Sequence, residues 1–403
     1  MGTEHILDSG YSWRRLAISL AIAVVGNVGM WASIVVLPNM EAEFGLARSV
    51  ASLPYTFTMF GYAIGNLLIG RVVDRYGVTL ALTGAALTSA AGFLLASVTQ
   101  SFWLICALQL VIGIGTAASF GPLVADVSLW FLKRRGIAVG IAASGNYLSG
   151  AIWPVLLAGI LAEGGWRSAY VTLAVVSVLL MIPLAWLLRR RLPLGAMALS
   201  DAASAERARS TGIPPTMLML MLGLAGVACC VAMSMPQVHI VSFCIDLGYG
   251  PAAGAEMLSL MLFAGVASRI ASGFVADWLG GVRTLLIGSV LQMLALMLYL
   301  PSSGLTSLYV VSLVFGLSQG GIVPSYAVIV REYMPAREAG ARTGFVIMGT
   351  ILGMALGGWM SGWIYDVTGS YAWAFVNGIA WNALNVGIML IVLFRGRPRV
   401  QMA

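Results

Sequence analysis

Residues 70–77 read GRVVDRYG and residues 273–280 read GFVADWLG. Both are Gly-x-x-x-Asp-x-x-Gly, and each closes a long apolar run. One copy is a weak signal. Two copies at matched places in two halves of similar length indicate a duplicated architecture.

Working outward from the two copies, apolar runs of about 20 residues, enough to cross a bilayer, mark twelve helices. They lie near 15–37, 49–70, 78–97, 102–129, 136–161 and 168–188, then near 215–245, 252–276, 283–301, 305–330, 342–365 and 372–394. Composition agrees: 60% of the 403 residues are hydrophobic and 9% are charged, against roughly 25% charged in soluble domains. So little polar surface cannot cover a water-soluble core. The fold class expected is an all-α membrane protein of twelve transmembrane helices in two pseudo-symmetric six-helix bundles. The domains expected are an N-terminal bundle (1–188), a cytoplasmic linker (189–214) with a short helix inside it, and a C-terminal bundle (215–403).

The basic residues orient the helices. With both termini cytoplasmic, nineteen of the 22 Lys and Arg fall on inner segments, among them Arg15, Arg71, Arg75, Lys133, Arg134, Arg135, Arg207, Arg209, Arg331, Arg397 and Arg399. Arg48 and Arg167 fall outside, and Arg269 falls within a helix. This is the positive-inside pattern. It explains the net charge of +7 through anionic lipid headgroups, with no nucleic acid partner. The first apolar run is too long for a signal-peptide core and follows Glu4 and Asp8, so no cleavable leader is expected. Cys106, Cys229, Cys230 and Cys244 are expected to be small buried hydrophobes.

In the duplicated motif the glycines allow close helix packing and a tight turn. Each aspartate can accept hydrogen bonds from the next helix's first amides or pair with a basic residue across the bundle. Helix capping alone would account for the pattern. The preferred reading is a reversible latch (Asp74, Arg75, Asp277) that closes the inner face when the halves rock together.

In this motif and its echo the chain resembles the major facilitator superfamily. The resemblance covers the whole transmembrane chain, and it implies two bundles around a midplane cavity, alternating access, and a cavity lined by helices 1, 4, 7 and 10. Two further stretches narrow it. DSGYSW (8–13) is similar to the Asp-Gly-Gly-Trp-Gly-Trp signature of the monocarboxylate transporter family, with Ser9 and Ser12 where glycine is usual. WFLKRR (130–135), followed by spaced small residues to Gly145, is similar to that family's second signature. Without the family, Tyr11 and Trp13 suit the headgroup interface, and Lys133, Arg134 and Arg135 suit the inner membrane face. Gly136, Gly140, Ala143, Ser144 and Gly145 make a small-residue packing face.

Arg269 stands eight residues before Asp277, roughly 12 Å inside the membrane face at ~1.5 Å per residue. A charge there costs ~2.5–3.5 kcal/mol on insertion scales and normally faces a cavity or a partner. A cavity-facing anion site, a structural ion pair and snorkelling all stay open, the first preferred. A guanidinium matches a carboxylate with two parallel hydrogen bonds, and the resemblance implies that this arginine meets the substrate carboxylate. Oxalate–formate exchangers, a related branch, carry a second basic residue in helix 11; here FVIMGTILGMALGGWMSG (345–362) has none. One buried cation favours a monoanion such as lactate, pyruvate or acetate.

Asn27, Asn66, Asn146, Tyr147 and Tyr326 lie at suitable depth to hydrogen-bond such a substrate, or to bridge helices. Asn66 precedes Asp74 by eight residues, as Arg269 precedes Asp277. Trp31, Phe120 and Phe315 are candidates for an apolar wall. For proton coupling, mammalian relatives have an aspartate one turn before the arginine and a lysine late in helix 1; here those places hold Gly265 and, by an ungapped count, Trp31. His239 remains as a proton shuttle or a polar core residue, while Asp126 and Glu256 lie near helix ends where hydration suffices.

The function expected is secondary transport of small monocarboxylates of the lactate or pyruvate type by proton symport. The alternative is an organic-anion exchanger of the oxalate/formate kind. No paired carboxylates, metal-spaced His/Cys cluster or nucleotide loop points to an enzyme or to ATP. No cofactor, metal or obligate protein partner is expected. The partners expected are the monocarboxylate, a proton and membrane lipids. The excess of arginine over lysine and the compact loops suggest a bacterial inner membrane.

Overall fold

The computed structural model describes residues 7–45, 50, 53–192 and 213–395. Arg48, the interior of the linker with Arg207 and Arg209 and its expected short helix, and Arg397 and Arg399 lie outside the described residues. Within them the chain is helical, in the twelve-helix order expected. The helices are α1 (Gly10–Val35, stepping at Asn27), α2 (Leu53–Tyr76), α3 (Val78–Val98), α4 (Phe102–Leu129) and α5 (135–164). Then follow α6 (166–187), α7 (Pro215–Asp246), α8 (Gly250–Leu279), α9 (Gly281–Tyr299), α10 (Leu305–Tyr333), α11 (Ala339–Thr368) and α12 (Tyr371–Arg395). Eleven stretches among the described residues are long and apolar enough to cross a membrane. α5 and α6 run on from each other through Gly165, whose φ of 68° breaks the helix.

The duplicated motif closes α2 and α8 alike. Each helix passes to the next through one glycine, Gly77 at φ 92° or Gly280 at φ 85°, a left-handed conformation costly for any residue with a Cβ. α4 and α10 are both broken partway. A short 3₁₀ turn (Ala117–Ser119) precedes Gly121–Leu129 in α4, and α10 is made of Leu305–Gln319 and Ile322–Tyr333.

Contacts divide the chain into two compact units that do not follow chain order. The first holds Met1–Phe131, Ile141–Ala196 and Arg337–Met348; the second holds Leu132–Gly140, Met197–Ala336 and Gly349–Ala403. The opening turns of α11 thus pack with the first unit and those of α5 with the second. In the first unit Ile22, Leu82, Phe93, Ile112 and Tyr170 are among the side chains of a continuous apolar core. All four cysteines are buried.

Three of the arginines expected at the lipid headgroups are inside the protein. Arg15, Arg135 and Arg331 expose 2%, 8% and 0% of their surface. Buried cations persist only where hydrogen bonds replace water. Arg15 chelates Asp126 and donates to the Leu188 carbonyl at 2.9 Å. Arg135 donates to the Arg331 carbonyl at 3.3 Å and Arg331 to that of Met334 at 3.1 Å. Asp126, expected to be hydrated, is also buried. Tyr11 and Trp13 are not simple interface anchors either: they lie 5.2 Å from the Trp130 and Phe131 rings, and the Asp8 amide donates to the Trp130 carbonyl at 3.1 Å. The two signature stretches therefore pack on each other.

Candidate functional site

Asp74 and Asp277 both cap a helix, though not the next one. Asp74 accepts the Gly340 and Ala341 amides that open α11, each at 2.8 Å. Asp277 accepts the Gly136 and Ile137 amides that open α5, at 2.5 and 3.1 Å. In the second copy the first amide of the next helix, on Gly281, is met instead by the Glu332 carboxylate, at 3.1 and 3.2 Å. A carboxylate at a helix N-terminus meets both unpaired amides and the positive end of the dipole. Arg75 is no part of this arrangement: it is exposed and stacks over Tyr76 at 5.2 Å.

Above each cap the helices touch backbone to backbone, one turn at a time. In the first unit a Cβ on Gly340 would stand 2.5 Å from the Gly70 carbonyl oxygen, and one on Gly344 would stand 2.1 Å from that of Asn66. In the second, a Cβ on Gly136 would stand 2.4 Å from the Gly273 oxygen and one on Gly140 2.5 Å from that of Arg269. Asn66–Gly70–Asp74 and Arg269–Gly273–Asp277 are thus equivalent three-rung ladders, each closed by a Gly-x-x-x-Gly pair. Arg269 and Asn66 occupy the same third rung.

Arg269 exposes 3% of its surface, so it does not stand open to a cavity, nor is it unpaired. Its Nε donates to the Gly320 carbonyl at the α10 break, at 3.1 Å. Asn66 is fully buried; its Nδ2 donates to the Tyr62 carbonyl at 2.9 Å, and its Oδ1 has no partner among the described residues.

Asn27 and Asn146 come together. The Asn27 Nδ2 donates to the carbonyls of Ala23 (2.8 Å) and Ser119 (3.0 Å), the latter at the α4 break. Its Oδ1 accepts from the Tyr62 hydroxyl (3.0 Å) and the Asn146 Nδ2 (3.2 Å). Trp31 donates its indole N–H to the Asn146 carbonyl at 3.1 Å. This cluster ties α1, α2, α4 and α5 within the first unit. Tyr147 and Phe120 are buried beside it in sequence, each 7% exposed.

Tyr326 belongs to a separate buried cluster in the second unit. Its hydroxyl donates to the Asn385 Oδ1 at 3.1 Å, and the Asn385 Nδ2 donates to the Ser289 hydroxyl at 2.7 Å. Phe315 is fully buried against Tyr299, ring to ring at 6.2 Å.

His239 is half-buried where α7 meets α11 and α12. Its Nε2 lies 2.8 Å from the Gly358 carbonyl oxygen, which can only accept, so that nitrogen carries the proton in the neutral ring. Nδ1 then accepts from the Tyr371 hydroxyl at 3.3 Å. Ser119, Ser289, Asn385 and the Gly320 carbonyl had no periodic signal in the sequence; only a pairing between distant helices reveals them.

The comparisons agree with this frame. The Major Facilitator Superfamily profile matches residues 19–341 and 246–402. Monocarboxylate transporter 13 of Bos taurus is 29% identical over 391 residues, covering 95% of this chain and 89% of its own. The MFS transporter asaE of Aspergillus flavus is 23% identical, over 75% of this chain and 67% of its own. A crystal structure of the E. coli fucose:proton symporter FucP superposes with a TM-score of 0.71 at 14% identity, over 94% of this chain and 98% of its own, which is a likeness of fold. With its duplicated Asp-capped ladders, its long apolar helices among the described residues and a profile match spanning most of its length, the chain belongs to the Major Facilitator Superfamily.

Proposed function

We propose that this protein is a secondary transporter of small monocarboxylates, of the lactate or pyruvate type, working by alternating access as a proton symporter. The observation that carries the reading is Arg269: one guanidinium on the third rung of α8, held by the Gly320 carbonyl and almost wholly out of solvent. A buried guanidinium is the group best shaped for a carboxylate, and one positive charge matches one negative charge. The relationship to a protein named as a monocarboxylate transporter supports the same substrate class.

On this reading Arg269 binds the carboxylate, with Asn27, Asn66, Asn146, Tyr147 and Tyr326 as polar groups available to the substrate when the clusters open. His239 exchanges the proton through Nδ1, the nitrogen that faces Tyr371. Asp74 and Asp277 act as latches that release the first turns of α11 and α5 in each cycle. The bundles 1–188 and 215–403, joined by 189–214, move as the working halves. The membrane is a bacterial inner membrane with both termini cytoplasmic.

The test is uptake of labelled lactate into proteoliposomes, with and without an imposed inward proton gradient, for the wild type, Arg269→Ala and His239→Gln. Gradient-driven uptake lost in Arg269→Ala is the expected result. Uptake indifferent to the gradient but stimulated by preloaded oxalate or formate would identify an exchanger. Undiminished uptake by Arg269→Ala would overturn the anion site.

A further inference from the structure

The α10 break lies between Gln319 and Ile322. In an unbroken helix the Gly320 carbonyl would accept the amide of the fourth residue on. That residue is Pro324, which has no N–H. The next carbonyl, on Gly321, accepts the Ser325 amide at 3.3 Å, so regular pairing resumes directly after the break. A buried carbonyl deprived of its partner requires another donor, and here that donor is the Nε of Arg269, at 3.1 Å. Close approach of the two helices makes the reach possible: a Cβ on Gly320 would stand 2.3 Å from the Gly265 carbonyl oxygen and 2.8 Å from the Ser268 Cβ. The α4 break is met in a related way, by the Asn27 amide on the Ser119 carbonyl.

We propose that Pro324 and the Gly320 carbonyl are a positioning pair for Arg269: the proline withholds an amide so that the carbonyl can hold the guanidinium through Nε. Fixing Nε fixes the plane of the guanidinium and aims its outer edge, the edge that pairs two-to-two with a carboxylate. Pro324 touches no substrate; it acts through Arg269. The inference rests on Arg269 as the carboxylate anchor. It adds the cause of the arginine's orientation and a residue that determines affinity for the anion.

The experiment compares KM and Vmax for labelled L-lactate uptake in proteoliposomes. The variants are Pro324→Ala, Pro324→Leu, Arg269→Ala, and a chain with lactic acid, the ester-forming α-hydroxy acid analogue of alanine, at position 324. Alanine and leucine restore the amide, which then competes with Nε for the Gly320 carbonyl. The ester removes the proline ring but still supplies no N–H. The expected result is a KM raised roughly tenfold in both amide-bearing variants, the scale of one hydrogen bond to a charged group. Vmax should change less than about twofold, and the ester should return KM close to the wild-type value. Wild-type KM in Pro324→Ala and Pro324→Leu, or an ester variant as impaired as they are, would overturn the positioning pair. Either result together with uptake lost in Arg269→Ala would leave the anion site standing. Uptake retained in Arg269→Ala would remove that site and this inference with it.

Discussion

Arg15 and Asp126 form a buried ion pair: Nε and Nη2 of the arginine make three hydrogen bonds of 2.8–3.0 Å to the two carboxylate oxygens. The guanidinium also lies 4.6 Å over the Trp130 ring. Removing one member leaves the other charge buried without its counterion, a change that costs about 3–5 kcal/mol. Asp126→Ala should therefore lower the thermal unfolding midpoint in detergent markedly. Arg15→Met combined with Asp126→Leu should recover most of the loss, because two apolar side chains leave no stranded charge. A double variant less stable than the single would show that the pair contributes more than mutual neutralisation.

The two caps should act as independent latches, each within its own compact unit. Asp74→Ala removes two hydrogen bonds from the start of α11, and Asp277→Ala removes two from the start of α5. Ala341→Cys and Ile137→Cys, introduced one at a time, should react faster with a membrane-impermeant maleimide when the matching aspartate is alanine. The expected acceleration is severalfold, the scale of a carboxylate at a partly buried helix N-terminus, ~1–2 kcal/mol. Equal acceleration at both cysteines from either aspartate variant would show a single shared latch instead.

The glycine rungs admit a sharper test. Gly344→Ala would bring a methyl group to 2.1 Å from the Asn66 carbonyl oxygen, and Gly140→Ala to 2.5 Å from that of Arg269. Both contacts are with backbone, so no side chain can rotate away and the helices must separate. Gly84→Ala, with nothing within 4 Å, is the control. Lactate uptake should fall at least tenfold in the first two variants and stay unchanged in the third. Wild-type uptake in Gly344→Ala would show that the ladder gives way without consequence.

The fold was legible because lipid leaves a chain few solutions: long apolar runs, arginine bias and a duplicated motif each report on backbone that spans a membrane. Asp74 and Asp277 were legible as a pair for the same reason, since duplication makes a short pattern specific. Their partners were not, because spacing along α2 says nothing about which distant helix start comes alongside. Arg15 and Asp126 show the same limit. Each sits near a helix end where hydration is the ordinary expectation, and only the fold brings together residues 111 positions apart. Arg269 lies between these cases: its depth could be counted from Asp277, whereas its carbonyl partner depends on a proline in another helix.

Glu43, beyond the end of α1, provides a pH test outside the membrane-spanning segments. Its carboxylate accepts from Arg167 and from the Trp166 indole, each at 2.7 Å. The Arg167 hydrogen bond, more than any other influence, holds the carboxyl below its ordinary range, against the opposing effect of partial burial. A carboxyl with a lowered folded-state value contributes stability that is complete above its unfolded value, about 4.3, and lost as the pH falls through the lower folded value. Both side chains are more than a third exposed, 38% and 35%, so water and salt screen the pair and its contribution is ~0–1 kcal/mol. Glu43→Gln should therefore lower the unfolding midpoint slightly at neutral pH, and the difference from wild type should shrink as the pH drops below about 4 or as salt is raised. The same titration should appear in the wild-type minus Glu43→Gln tryptophan fluorescence difference, because the indole N–H of Trp166 loses an ionised acceptor. A stability difference that persists unchanged at low pH would mean that the Glu43 contact acts through packing alone, and that its charge adds nothing to the anchoring of α1.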